Sequence, residues 1–255
     1  GPSQFALTFF EYRRVAAHYV QIKEGNALTL APSNVKSNAD SLPRFLSLSL
    51  QNVLNAVYTW NQPASKSAIM VTIDALTLLL DAVDQVVNKA EQITPQACSA
   101  IQNSDYYEEL QKAVAELTVV SLPTAHNEKL ALYLNLYNLL ALHTLIACGP
   151  PSSTGQRVKF FTTNCYRVGD LGEVSIAEIE HALIRAPMSK PSAFGSSMLP
   201  KFGSSHPKRQ FVLTKKEPLV TFALACGECE FSLVPLMHCA RIRRTLCSSL
   251  DHFRA

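Results

Sequence analysis

The chain has 255 residues, of which 47% are hydrophobic and 17% are charged. A chain of this length and composition can bury a sizeable core, which excludes disorder along its whole length. The formal net charge of +3 is too small to indicate a nucleic-acid-binding protein by itself. We therefore expect one large domain, or one domain with a helical extension.

The first sixty residues are predicted to be mainly helical. A helix over residues 5–23 is expected to end at Gly25, because glycine is favoured just past the end of a helix. A second helix is predicted to begin near Ser41, with Pro43 in its first turn, and to reach about Trp60.

Two further helices are predicted before residue 120. The first covers residues 68–93 and is expected to end at Pro95, since proline does not continue a helix. Its apolar stripe has the alternating spacing of a packed helix and consists of Leu76, Leu80, Val83, Val87 and Ala90. The next helix is predicted over residues 105–119.

The most informative stretch is an apolar segment from Leu130 to Cys148. It is about long enough to span a bilayer. However, Asn135, Asn138 and His143 lie within it, and its flanks lack the lysine and arginine asymmetry of a membrane span. A buried amide or imidazole without a hydrogen-bond partner is costly. We therefore predict no transmembrane segment, but a buried central helix whose polar groups are matched.

The sequence changes character after residue 150. Residues 158–161 and 164–168 carry β-branched or aromatic side chains, so they are predicted to be short strands. A turn with two glycines follows. Ser175 and Glu178 then form a predicted capping box at the start of a helix over residues 176–186.

The last quarter is predicted to contain a loop, two strands and a helix. Residues 188–207 are rich in serine, proline and glycine, which is typical of a surface loop. Apolar runs at residues 210–214 and 218–225 are predicted to be paired strands, and a basic helix over residues 241–254 follows.

The predicted fold class is α+β, with an N-terminal helical bundle packed on a small mixed or antiparallel sheet with a buried central helix. The apolar helix is expected to form the core against the strand that ends at Ala225. We divide the chain into an N-terminal helical region, residues 1–104, and an α+β domain, residues 105–255.

Three ordered motifs in the second half resemble a known family. They are YLNLYNLLALH in the apolar helix, VGDLGEVSIAEIEHALIR around the capping box, and VTFALACG at residues 220–227. Together they are similar to the domain-of-unknown-function family 547 (DUF547) over roughly residues 105–255. The family has a histidine where this chain has Thr221, and its downstream Ser-Cys-Pro or Ser-Ser-Pro is replaced by CEFSLVP. Chemistry that needs that histidine is therefore in question, and the resemblance alone implies no function.

Cys226 is the first candidate catalytic residue, because it follows the last predicted strand and precedes a glycine. A side chain there emerges from a sheet, where backbone amides can stabilise a thiolate. His181 is the first candidate for the base and His143 the second, with Asn138 or Glu180 as the orienting group. The alternative is a buried, inert cysteine. Both histidines precede the cysteine, the reverse of the papain-like order, although triad order varies between folds.

The CxxC pair of Cys226 and Cys229 is compatible with two other chemistries. Thiol–disulfide exchange is one, but thioredoxin-like domains place this pair early in the fold. Zinc held with His238 and Cys239 is the other, but adjacent histidine and cysteine ligands suit a tetrahedral site poorly. We expect no metal and no cofactor.

The candidate substrate-binding residues are Asn135, Arg185 and Cys229. Asn135 and Asn138 lie three residues apart on one helical face, where they either bind a substrate amide or, as we favour, clamp backbone in the core. Arg185 can hold a carboxylate with its planar guanidinium, or form a surface ion-pair patch with Glu180 and His181.

Seven cysteines, several within apolar runs, and no visible signal peptide predict a reducing, cytoplasmic location. The first three residues are typical of the end left by tag cleavage, so we expect a longer native protein. One functional hypothesis is a protein-interaction or scaffold module of a larger intracellular eukaryotic protein, with the fold of a degenerate enzyme. The alternative is a cysteine-dependent hydrolase or acyl transferase, with papain- or transglutaminase-like chemistry on peptide or isopeptide bonds. Whether the chain is an enzyme is left open.

The partner expected under the first hypothesis is a protein. Basic residues at 208–209, 215–216 and 241–244 can meet an acidic surface, although ordinary solvated charge is the favoured interpretation. They lack the interleaved aromatic residues of a strand-stacking surface, so the sequence gives no strong nucleic-acid signal.

Overall fold

The computed structural model describes residues 51–86, 93–188, 200–218, 220 and 224, together with the backbone of residues 35–37. Within these ranges the chain forms five α-helices, one π-helix and two small sheets. The predicted α+β class is confirmed. The predicted helices over residues 5–23 and 241–254 lie outside the described residues.

The α-helices are α1 (Ala68–Val86), α2 (Pro95–Gln102), α3 (Asp105–Ala115), α4 (His126–Cys148) and α5 (Thr154–Thr163). The π-helix spans Glu178–Ile184, and short 3-10 helices span Glu116–Val119, Gly169–Leu171 and Pro207–Phe211. The predicted helix over residues 105–119 is confirmed as α3 followed by its 3-10 extension.

The strands form two separate sheets. In the first, β1 (Val35–Ser37) pairs antiparallel with β3 (Tyr58–Trp60). In the second, β2 (Asn52–Val53) lies parallel to β4 (Asn164–Val168), and β4 pairs antiparallel with β5 (Gly172–Ser175). The predicted strand at 164–168 is therefore confirmed as the middle strand of a mixed sheet.

Helix α4 lies at the centre of the molecule. It packs against α1, α2, β4 and the π-helix, because apolar side chains cover every side of it. It is the one helix among the described residues that is long and apolar enough to cross a membrane, yet 89% of its most apolar window is buried inside the protein. That burial is typical of a core helix, and the predicted buried central helix is confirmed.

The prediction of a helix up to Trp60 is wrong over residues 51–60, which form β2, a turn and β3. The buried side chain of Asn55 accounts for this. Its amide donates to the carbonyls of Val114 at 3.1 Å and Arg167 at 2.8 Å, and its oxygen accepts from the amide of Arg167 at 2.9 Å. These tertiary bonds to α3 and β4 outweigh local helix propensity.

The buried face of α1 and the role of Pro95 differ from the prediction, while the stretch in which α1 was predicted to end includes residues 87–92, outside the described residues. Helix α1 starts at Ala68 as predicted, but its fully buried face contains Ala75 and Leu79, whereas Leu76 is half-buried. Pro95 begins α2 instead of ending the preceding helix, because Thr94 caps the new helix through the amide of Ala97 at 3.2 Å.

The prediction of a strand at residues 158–161 is wrong, because they belong to α5. The hydroxyl of Ser153 accepts from the amide of Gln156 at 3.3 Å and so begins that helix. Phe160 is buried, while Val158 is exposed on the opposite side. The aromatic and β-branched side chains of this segment therefore belong to a helix that buries one face.

The two predicted strands after residue 209 are wrong where they are described. Gln210 and Phe211 complete a 3-10 helix. The amide of Leu224 donates to the carbonyl of Val220 at 3.2 Å, which is a helical bond. Both of these residues are buried, so their apolar character reflects burial and not strand structure. Ala225, the expected end of a core strand, lies outside the described residues.

Candidate functional site

The π-helix contains two of the predicted site residues, Glu180 and His181, and is capped at its end by a third, Arg185. It begins at the predicted capping box, which is confirmed: the amide of Ser175 donates to Glu178 Oε2 at 2.9 Å, and the amide of Glu178 donates to Ser175 Oγ at 3.3 Å. It ends where the amide of Arg185 donates to the carbonyl of Glu180, five residues back, at 2.8 Å. Such widened turns are rare and are frequent at functional sites.

The carboxylate of Glu180 is the centre of this cluster. Its Oε1 lies 2.9 Å from Arg185 Nε, and its Oε2 accepts from the Tyr137 hydroxyl at 3.3 Å. His181 Nε2 lies 4.0 Å from the same Oε2. The side chains of Glu180, His181 and Arg185 have relative accessibilities between 16% and 26%, so solvent or a ligand reaches them. The π-helix thus places a histidine beside a carboxylate that arginine and tyrosine hold in position.

His143 lies elsewhere, between two tyrosines in the core. Its Nε2 is 3.1 Å from the Tyr107 hydroxyl in α3, and its Nδ1 is 2.6 Å from the Tyr166 hydroxyl in β4. A neutral imidazole has one donor and one acceptor nitrogen, so one tyrosine donates to it and the other accepts. Burial lowers the pKa of His143 to about 3, raises that of Tyr107 to about 12 and raises that of Tyr166 well above its usual value. This buried triad joins α3, α4 and β4.

The two asparagines of α4 differ in their surroundings. Asn138 is buried, and its amide donates to the carbonyl of Leu134, one turn earlier, at 2.8 Å. Asn135 is only partly buried. His143 and Asn138 therefore have partners as predicted for the central helix. The hydroxyl of Thr144 is also buried there, without a hydrogen bond to any described residue.

The surroundings of the described cysteines disfavour the thiolate form. Burial raises the pKa values of Cys98 and Cys148, and raises that of Cys165 to about 12. Cys226 and Cys229 lie outside the described residues, as does the zinc set that includes His238 and Cys239. No group of three potential metal ligands occurs in the part of the chain that the structure describes.

A segment that we name the strap, residues 200–217, crosses the outer side of this region. Its first anchor is Lys208, whose Nζ lies 3.5 Å from Glu178 Oε1, bonds the carbonyl of Glu173 and lies 5.4 Å from the centre of the Phe202 ring. Three contacts fasten its second half: Tyr133 hydroxyl to Phe211 carbonyl at 2.6 Å, Leu213 amide to Leu183 carbonyl at 3.1 Å, and His126 Nε2 to Glu217 Oε1 at 2.9 Å. The strap is thereby held against α4, β5 and the π-helix.

Comparison with protein families gives a match to the model of DUF547, described as a protein of unknown function, over residues 121–253. This range is just over half of the chain. The chain belongs to the DUF547 family. No curated protein and no solved structure matches it. The DUF547 segment contains the π-helix cluster, the strap and His143, whereas Tyr107 precedes it.

Sequence reasoning missed Tyr137, which holds Glu180 in this DUF547 chain. Tyr137 is part of the YLNLYNLLALH motif, directly before Asn138, so the motif contained the signal. The contact could not be predicted from the sequence, because Tyr137 and Glu180 are 43 residues apart and meet only through packing. The tyrosine partners of His143 were missed for the same reason.

Proposed function

We propose that this chain is a protein-interaction module of a larger intracellular eukaryotic protein, and that the strap is its binding surface. The observation that carries the proposal is that the strap is a loop held in place by the rest of the domain. It has irregular backbone apart from one short 3-10 helix, yet contacts with α4, β5 and the π-helix hold it on the domain. Loops positioned by a rigid scaffold are common sites of recognition. Preorganisation also lowers the entropy lost on binding.

The buried polar groups give secondary support to an interaction role. His143 is occupied on both ring nitrogens and is held neutral by burial. Asn138 bonds backbone within its own helix. Both side chains are buried and support the architecture of the described core.

The test is recovery of partner proteins by the chain carrying matched charge reversals. We expect Lys215→Glu/Lys216→Glu in the strap to abolish recovery of the main partners. The control Arg157→Glu/Lys159→Glu makes the same change in net charge on exposed residues of α5, and should recover them normally. Cys226→Ser should also recover them normally. Equal recovery by the two double variants, or loss in Cys226→Ser alone, contradicts the proposal.

A second candidate function is a cysteine-dependent hydrolase with Cys226 as nucleophile and His181 as base. The observation in its favour is the partly exposed imidazole of His181, 4.0 Å from Glu180 on a π-helix. Labelling by a thiol-reactive probe, followed by peptide mapping, separates the two functions. Cys148 is an exposed residue with a raised pKa and serves as the unactivated reference. The hydrolase requires Cys226 to react about tenfold faster or more than Cys148, and to slow in His181→Ala. Comparable rates favour the interaction module.

A further inference from the structure

We propose that the strap binds a glutamate- or aspartate-rich segment of a partner protein. This inference rests on the interaction function proposed above and names the chemistry of the partner. Residues 200–217 contain five cationic side chains and a single acidic one. The excess of positive charge is local to the strap, because the whole chain carries a net charge of only +3.

The contacts of the strap divide its charges into two sets. Lys208 is used internally, on Glu178 and the carbonyl of Glu173, and the single acid, Glu217, is paired with His126. The remaining cations of the strap are exposed: Lys201, Arg209, Lys215 and Lys216. The acid that would neutralise them is therefore already engaged.

A cation from α4 adds to this surface. Lys129 Nζ donates to the carbonyl of Gln210 at 3.3 Å, so its ammonium lies beside the residue that follows Arg209. Lys215 and Lys216 directly precede Glu217, which contacts the first residue of the same helix. Lys129 and the Lys215–Lys216 pair thus both lie near the first turn of α4, which also carries one acid, Glu128. Repeated carboxylates along an extended peptide can meet successive cations.

The apolar residues of the strap distinguish a peptide from other anionic partners. Phe202, Val212 and Leu213 are buried, and Phe211 is half-buried. Single-stranded nucleic acid is normally held by exposed aromatic side chains that stack on bases. Membrane-surface segments normally insert exposed apolar side chains between lipids. The strap instead presents cations together with exposed polar side chains such as Ser205, Gln210 and Thr214, which can hydrogen-bond a peptide.

The experiment measures binding of a fluorescein-labelled, glutamate-rich peptide to the chain by fluorescence anisotropy. A glutamine-rich peptide of equal length tests the need for charge. We expect Lys215→Glu/Lys216→Glu to lower the affinity by about tenfold or more, because it replaces attraction by repulsion. The control Arg157→Glu/Lys159→Glu should keep an affinity close to that of the unmodified chain. Circular dichroism and thermal unfolding verify that both variants are folded.

The outcomes separate this inference from the proposed function. Equal affinity in the two double variants, or equal binding of the glutamine peptide, overturns the acidic-peptide site. Stronger binding of single-stranded DNA, or of phosphatidylserine vesicles, than of the glutamate peptide also overturns it. If the glutamate peptide fails while partner recovery still depends on Lys215 and Lys216, the inference is wrong and the proposed function stands. If recovery does not depend on them, the proposed function is wrong as well.

Discussion

The imidazole of His143 lies between the hydroxyls of Tyr107 and Tyr166, and each contact joins a different element to α4. Tyr166→Phe removes one partner and leaves Nδ1 of a buried ring unsatisfied. We expect the free energy of unfolding to fall by about 1–3 kcal/mol in urea titrations. Tyr106→Phe is the control, because Tyr106 is only partly buried; it should change stability by less than about 0.5 kcal/mol. If both variants lose the same free energy of unfolding, the hydrogen bond between Tyr166 and His143 contributes no measurable stability.

The same histidine makes stability depend on pH. Burial lowers the pKa of His143 from 6.5 to about 3. Between these values the unfolded chain binds a proton that the folded chain does not, so acid favours unfolding. The free energy of unfolding should therefore fall as pH drops through this window, with a contribution from His143 of up to about 1.4 kcal/mol per pH unit. His143→Gln should show a shallower slope when urea titrations are compared across the window. An unchanged slope would mean that His143 is protonated in the folded protein.

At the scale of elements, the turn between β4 and β5 depends on Gly169. Its φ is +38°, and a Cβ there would overlap the carbonyl oxygen of Val120. Gly169→Ala should therefore destabilise the protein by about 3 kcal/mol or more, or prevent folding. Gly155→Ala in α5 is the matched control, because no atom of another element lies within 4 Å of its Cβ position. It should be neutral or stabilising by up to about 1 kcal/mol. Thermal unfolding of both variants checks this difference.

Elements with local signals were predictable from the sequence, and those fixed by distant contacts were not. The capping box of Ser175 and Glu178 and the apolar length of α4 are both local properties, and both were predicted. The turn near Asn55 was not, because the partners of its side chain lie 59 and 112 residues away. The segment at residues 158–161 was misassigned because aromatic and β-branched side chains suit any half-buried element.

In the candidate site, too, the features with local sequence signals were predictable and those fixed by distant contacts were not. The sequence predicted Glu180, His181 and Arg185 as one group, since they share a short helix. It did not predict the π-helical backbone, whose wider turn has no simple local signature. His181 was the first candidate base in the sequence and His143 the second. In the structure, α4 directs His143 toward α3 and β4, and Tyr137 toward the π-helix. Only packing distinguishes a buried structural imidazole from a partly exposed one.

At the scale of the whole molecule, α4 and the strap should differ in how they open. Helix α4 is enclosed by helices and β4, so its backbone amides can exchange only when the domain unfolds globally. The strap is held by a few side-chain and backbone contacts at the surface, so it can detach while the core stays folded. Hydrogen exchange measured by mass spectrometry should therefore give the slowest rates in residues 132–145 and much faster rates in residues 203–210.

Measuring hydrogen exchange at low urea concentrations distinguishes global unfolding from local opening. Exchange in α4 should accelerate in parallel with the free energy of global unfolding, whereas exchange in the strap should be nearly independent of urea, because local opening exposes little surface. Lys208→Ala removes one anchor and should accelerate exchange in the strap without changing α4. Parallel behaviour of the two segments would mean that the strap unfolds only with the core. Protection of α4 only in detergent would contradict its place in the buried core of the described domain.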